Sequence, residues 1–325
     1  MSMLSRRRFL TTTAAAAIAT RFTPSFAMAA PENSPFKLAV ITDEISPDFD
    51  HACSVAANDF GLRWVELRGM WGKNLVNMGD DDLAKAEGIL AKYKLQVTDI
   101  ASPLFKAYWP GAPQSRFGPK NDWFGADFGY KQQDSVLEKS IALAQRFKTN
   151  RVRGFDFWRL DDQAPFRAAM DAKLAEAANT FAKHNVIFLL ENELDCNTAT
   201  GREAARTLSA VPSANFMLNW DPGNAVARGE LDAFPVGWNL LPKQRIGHCH
   251  VKNAIRNNSA SGFAWQPVGT GVIDWAAQFK ALLQMGYRNG VSLETHWNGG
   301  GSAEQCTRTS MAGMKQALQQ AGAIR

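Results

Sequence analysis

The stretch RIGHCHVKN, residues 245–253, sets two histidines and a lysine at a two-residue beat inside an apolar run. Alternate side chains of a β-strand share one face, so His248, His250 and Lys252 would point the same way. An imidazole there can be a metal ligand, an acid–base group or a buried hydrogen-bonding residue, and its neighbours decide which. Glu191 closes the run VIFLLE, Asp221 closes NFMLNWD, and Glu294 lies near the end of VSLETH. On neighbouring strands, these three carboxylates and His250 would gather a formal charge of about −3 in a small volume. Such a set repels itself strongly at short range, and a divalent cation removes the conflict. Hard oxygen ligands with one imidazole favour one Mn²⁺ ion, with Mg²⁺, Co²⁺ or Zn²⁺ as alternatives.

The elements that must position these residues are legible from periodicity. Eight short apolar runs read as strands: 38–43, 64–68, 95–101, 151–157, 186–191, 215–221, 246–252 and 291–296. Amphipathic segments lie between them, for example 80–94, 166–185 and 273–287, with apolar residues at helical spacing. Alternation of strand and helix, with no linker and a count of eight, predicts an α/β fold, a (β/α)₈ TIM barrel. No Gly-x-Gly-x-x-Gly follows the first strand, which argues against a dinucleotide-binding sheet. Residues 102–128 and 253–271 are longer connections rich in glycine, proline and aromatics, and are expected to cover the mouth as lids.

Barrel chemistry sits at the carboxyl ends of the strands, so Glu191, Asp221, His250 and Glu294 are the candidate metal ligands. Each has a plainer role if taken alone. Asp221, followed by Pro222-Gly223, suits a turn, and a lone buried histidine is often simply hydrogen-bonded. Four such residues on four successive strands favour the metal. With His250 at ligand height, His248 lies about 7 Å deeper, and Lys252 projects above to hold a substrate oxygen. The same spacing puts His296 above Glu294, and Glu66 and Arg68 on one face of the second strand, as further candidate substrate-binding residues. Trp109, Trp123, Trp158, Trp265 and Trp297 are candidates for stacking on sugar faces.

The first thirty residues read as a twin-arginine export signal. Ser5-Arg6-Arg7-Arg8-Phe9-Leu10 precedes an apolar stretch, Ala14 to Ala19, and alanine-rich cleavage sites near Ala27 to Ala30. Residues 31–325 are then a single periplasmic barrel domain. Its expected partners are the export machinery and a small carbohydrate, with no stable membrane insertion after the signal is removed and oligomeric state left open. The formal charge of +5 rests largely on Arg6, Arg7, Arg8 and Arg21 within the signal, which argues against nucleic acid as a partner. Cys53, Cys196, Cys249 and Cys306 are too scattered for a zinc finger or a dense disulfide framework and read as buried small residues.

VITDEIS, GLRWVELRG, LLENE, LNWDPGN, IGHCHVKN, PVGTGVIDW and VSLETHW, in that order, resemble the xylose isomerase-like TIM barrel family, also called sugar phosphate isomerases/epimerases. The resemblance maps that family's four metal ligands onto Glu191, Asp221, His250 and Glu294. It implies isomerisation or epimerisation of a sugar, in which a metal stabilises an enediolate while Glu191 and Glu294 remove and return a proton. Two positions depart from the family pattern. Asn224 stands where many members carry a substrate-binding histidine, and Asn253 where many carry aspartate. Asn224 can hydrogen-bond a substrate but cannot act as acid or base. Export favours an unphosphorylated sugar, keto-sugar or cyclitol. The same site could instead serve a lyase or dehydratase, or a barrel that only binds carbohydrate.

Overall fold

The computed structural model describes residues 34–115 and 128–325. The expected signal, Trp123 and the middle of the first long connection lie outside the described residues. Eight parallel strands make one sheet: β1 Lys37–Val40, β2 Trp64–Leu67, β3 Gln96–Leu104, β4 Arg151–Gly154, β5 Ile187–Glu191, β6 Phe216–Trp220, β7 Ile246–Val251 and β8 Gly290–Leu293. From β2 to β8 each strand pairs with the next, and β8 pairs with β1. A parallel bridge between Ile41 and Glu66 brings the last two edges together, so the sheet is a (β/α)₈ TIM barrel.

A helix follows each strand: α1 Phe49–Ser54, α2 Asp80–Tyr93, α3 Gln133–Arg146, α4 Arg167–Lys183, α5 Gly201–Ala210, α6 Pro222–Arg228, α7 Trp275–Gln284 and α8 Ala303–Ala321. Period two sorts the strand residues into two environments. Phe188 and Leu190 on β5, with Phe216 and Leu218 on β6, join one apolar cluster with Leu174, Phe181 and Leu208 of the helices. Glu66, Asp99, Arg153, Asn219 and His248 are equally buried but polar. Side chains of β2 and β7, strands that share no ladder, meet each other, and that contact requires them to cross the barrel interior.

All eight expected strands are present, with ends displaced by a few residues. The first stops at Val40 and the eighth at Leu293, earlier than their apolar runs suggest, because the chain leaves the ladder there to turn over the mouth. Within the expected lid at 253–271, Asn253–Arg256 pairs antiparallel with Phe263–Gln266, so this connection is a hairpin. The four cysteines are free and buried. Among the described residues no helix is long and apolar enough to cross a membrane.

Polar residues fit inside a barrel only where a neighbour makes room. A Cβ added at Gly290 on β8 would lie 2.4 Å from the ring of His248. Gly290→Ala must therefore push the imidazole or the strand aside. It is expected to cost about 1–3 kcal/mol of stability, read as a lower urea midpoint with an unchanged slope.

Candidate metal centre

Four successive strands, β5 to β8, deliver Glu191, Asp221, His250 and Glu294 to one point at the mouth. One ligand atom from each lies within 4.8 Å of all the others. The first three are fully buried and Glu294 is 3% exposed. His250 Nδ1 faces Glu191 Oε1 at 3.1 Å, Glu294 Oε2 at 3.3 Å and Asp221 Oδ2 at 3.6 Å.

Each carboxylate divides its two oxygens between the centre and the scaffold. Glu191 keeps Oε1 inward, while Oε2 accepts from Arg153 Nη1 at 2.7 Å. Glu294 keeps Oε2 inward, while Oε1 accepts from Arg68 Nη1 at 2.9 Å. Asp221 caps α6, its Oδ1 accepting from the backbone N–H of Asn224 at 2.9 Å, so turn former and ligand candidate are the same residue using different atoms. Asn192 ties the two strand ends together: its Oδ1 accepts from Asp221 N at 2.8 Å and its Nδ2 donates to Asp221 O and Ala199 O.

The other nitrogen of His250 is held from below. Nε2 lies 3.0 Å from Glu66 Oε1 and 3.0 Å from Asn219 Nδ2. A carboxylate behind the imidazole is the arrangement that fixes a metal-binding tautomer, the Nε2 proton going to Glu66 and Nδ1 left free to coordinate. Glu66 Oε2 also lies 3.2 Å from His248 Nε2, and His248 Nδ1 lies 3.6 Å from Asp99 Oδ1.

The field at this point is strongly negative. Burial pulls the His250 pKa down, but Glu66, Glu191 and Glu294 outweigh it and raise it well above the ordinary imidazole value. Burial pushes Glu191 up, yet His250 and Arg153 hold it at about 2. Glu294 is likewise held well below the carboxylate range against burial by Lys252, His296 and His250. A donor set of three carboxylate oxygens and one oriented imidazole, with outer oxygens already anchored, fits a divalent ion of the hard or borderline class.

The structure places the expected substrate-binding residues at different heights. Lys252 is fully buried, its Nζ 2.8 Å from Asp221 Oδ2 and 2.5 Å from Glu294 Oε2. His296 stands at the rim in a left-handed backbone conformation, φ 47°, with Nε2 3.3 Å from Glu294 Oε1 and its ring 5.3 Å from that of Trp265. Arg68 borders the pocket, but it donates to Asp43, Glu44 and Glu294. Glu66 is one position lower on the same strand face and lies beneath the ligands, sealed against both histidines. Asn224 is also fully buried, its Nδ2 3.2 Å from Glu191 Oε1 and 3.0 Å from Asn192 O, so it steadies a ligand from the side. Of the aromatics, Trp265 overlies Lys252 at 5.1 Å, whereas Trp109 packs against Tyr130 and Phe157.

A small pocket beside Glu294 is lined by Arg68, Lys106, Arg153, Phe155, Glu193 and His296, among others. Lys106, Arg153 and Glu193 escape a reading based on strand ends. Arg153 carried the clearest signal, a charge in the middle of a buried run. Glu193 follows Glu191 by two residues and so returns to the same side of the chain. Burial raises its pKa, opposed by Lys106.

Residues 55–317 match the family described as Xylose isomerase-like TIM barrel, and the chain belongs to that family. No curated protein matches it. Solved structures similar to it include the probable 3-DHS dehydratase AsbF involved in petrobactin synthesis from Bacillus anthracis (20% identity, 86% of this chain and 98% of that one, TM-score 0.62). A xylose isomerase-like TIM barrel protein from Mycobacterium smegmatis in complex with magnesium is 16% identical over 92% of this chain and 100% of that one, with a TM-score of 0.62. A D-psicose 3-epimerase from Clostridium cellulolyticum H10, with D-tagatose, is 14% identical over 89% and 99%, with a TM-score of 0.60. At these identities the likeness is one of fold.

Arg153 gives the site a measurable electrostatic signature. Arg153→Leu leaves Glu191 Oε2 buried without its cation and is expected to cost about 3–5 kcal/mol at neutral pH. The folded-state pKa of Glu191 is depressed to about 2, so the pair stabilises the fold above the unfolded value of about 4.3 and loses that contribution as pH falls towards 2. Urea melts of both proteins should show a gap that narrows below about pH 4.

Proposed function

We propose that this chain is a divalent-metal-dependent isomerase or epimerase of an unphosphorylated sugar, keto-sugar or cyclitol. The observation that carries the proposal is the pair Glu191 and Glu294, ionised glutamates from different strands whose inner oxygens flank His250 Nδ1 while arginines hold their outer ones. An ion held by Glu191, Asp221, His250 and Glu294 would supply Lewis-acid polarisation of a substrate carbonyl and its neighbouring hydroxyl, with Mn²⁺ the proposed resident. One glutamate removes the proton from the carbon beside the carbonyl and the other returns it. The arginine contacts keep each carboxylate from rotating away from the centre. His296 hydrogen-bonds substrate oxygens at the rim, Lys252 reaches them from its buried position beside Asp221 and Glu294, and Trp265 excludes water above both. Glu66 and Asn224 act through the ligands they touch, as positioning residues.

A second reading, elimination from the same carbanion, is favoured by one feature. Glu193 stands in the pocket wall as a second carboxyl beside Glu294, where it could protonate a departing oxygen. Product mass separates the two, since elimination releases water or an aglycone and isomerisation conserves mass.

With Mn²⁺ and a panel of ketoses and keto-glycosides in heavy water, the wild-type protein should place solvent deuterium on a substrate carbon. Glu191→Gln and Glu294→Gln should each lower that exchange by at least about 10³-fold while the far-ultraviolet circular dichroism is unchanged. No exchange across the panel by wild-type protein with metal bound would instead mark a carbohydrate-binding barrel. We also propose export by the twin-arginine route, on the strength of Ser5 to Leu10. Cell fractionation should find the protein in the periplasm, and Arg6→Lys with Arg7→Lys should retain it in the cytoplasm.

A further inference from the structure

Three cations border the cluster, and they use different oxygens. Arg153 and Arg68 take Glu191 Oε2 and Glu294 Oε1, the oxygens turned away from the centre. Lys252 takes Asp221 Oδ2 at 2.8 Å and Glu294 Oε2 at 2.5 Å, the oxygens that face His250 Nδ1. The ammonium therefore stands on two of the four atoms that form the candidate ligand set.

Its position is built into the fold. Lysine ordinarily reaches solvent, yet Lys252 is fully buried. Its stem runs past Gly223, where a Cβ would come within 2.6 Å of Lys252 Cγ. Its backbone carbonyl accepts from Trp275 Nε1 at 2.8 Å, which anchors the strand end beneath it. On the far side Nζ meets the face of Trp265 at 5.1 Å.

We propose that Lys252 is a built-in counter-cation of the ligand set, balancing Asp221 and Glu294 while no metal is bound, and that a divalent ion must displace its ammonium from those two oxygens to bind. This rests on the metal-centre reading above. Oxygens 2.5–2.8 Å from an ammonium must approach a divalent ion to about 2.0–2.2 Å, and the two cations repel each other strongly in a buried site. One positive group is exchanged for another, so the carboxylates are never left unbalanced, and metal affinity is lowered by the exchange. The two arginines, bound to outer oxygens, take no part.

The test is calorimetric titration of the chelator-treated protein with Mn²⁺, paired with thermal melts with and without saturating Mn²⁺. Lys252→Gln should bind Mn²⁺ at least about tenfold more tightly than wild type, and Lys252→Arg, which keeps the charge, should not. Lys252→Gln should also lower the melting temperature of the metal-free protein by more than that of the Mn²⁺-saturated protein. Should Lys252→Gln fail to fold, Lys252→Met provides the second variant: it removes the charge, keeps the apolar stem and should likewise tighten Mn²⁺ binding. Equal or weaker Mn²⁺ affinity in the folded variant, with equal melting shifts in both states, overturns the proposal while leaving the metal centre intact. Absence of Mn²⁺ binding by wild type and variants alike overturns both.

Discussion

Three carboxylates confined around one imidazole, all but wholly buried, are the constraint on which the rest of this structure depends. Charges of one sign at that separation and burial are tolerable only when opposite charge is supplied at fixed positions. The protein meets this by treating the two oxygens of each carboxylate differently. Arg153 and Arg68 neutralise the outer oxygens of Glu191 and Glu294, and a helix N-terminus takes Asp221 Oδ1. What remains is a compact inward set whose negative field is aimed at one point. The wide pKa displacements of His250, Glu191 and Glu294 are consequences of that arrangement.

The same constraint explains why the barrel interior is layered. TIM barrels commonly fill their centre with branched apolar side chains, but here a polar column descends from the ligands. His250 rests on Glu66, Glu66 on His248, and His248 faces Asp99, which burial and the charge of Glu66 push up to about 6. Fold stability must then come largely from the apolar shell between strands and helices. That shell can be rigid without regard to chemistry, and the column can be polar without regard to stability. The price of the division is a set of glycines, such as Gly290 and Gly223, wherever a buried polar side chain needs space.

Barrel strands deliver the ligand candidates from below, and several groups around the pocket come from connections: Lys106 after β3, Glu193 after β5 and His296 after β8, with Trp265 of the hairpin after β7 packed on His296. His296 is held in a left-handed backbone conformation by contacts with Glu44 and Trp265, the kind of local cost that a surrounding site must impose. A D-psicose 3-epimerase and a probable 3-DHS dehydratase share the barrel with this chain at 14% and 20% identity. A shared barrel does not by itself fix reaction or substrate.

By itself the sequence determined the alternation of eight strands with helices and the four residues gathered by strands β5 to β8. Both follow from periodicity and from acidic or imidazole side chains standing where apolar runs end, and those are local signals. Only the tertiary structure decided which oxygen of each carboxylate faces inward, that Arg153 and Asn192 hold the ligands in place, and that Glu66 and Asn224 lie beneath and beside them, out of the mouth. Period two assigns a residue to a face of its strand, but its height in the barrel depends on the stagger between strands and its partner on side chains that arrive from distant segments. Lys252 shows the difference most directly. Its spacing from His250 identified the face, whereas its burial on Asp221 and Glu294 depends on the absence of a side chain at Gly223, a fact recorded in another strand's turn.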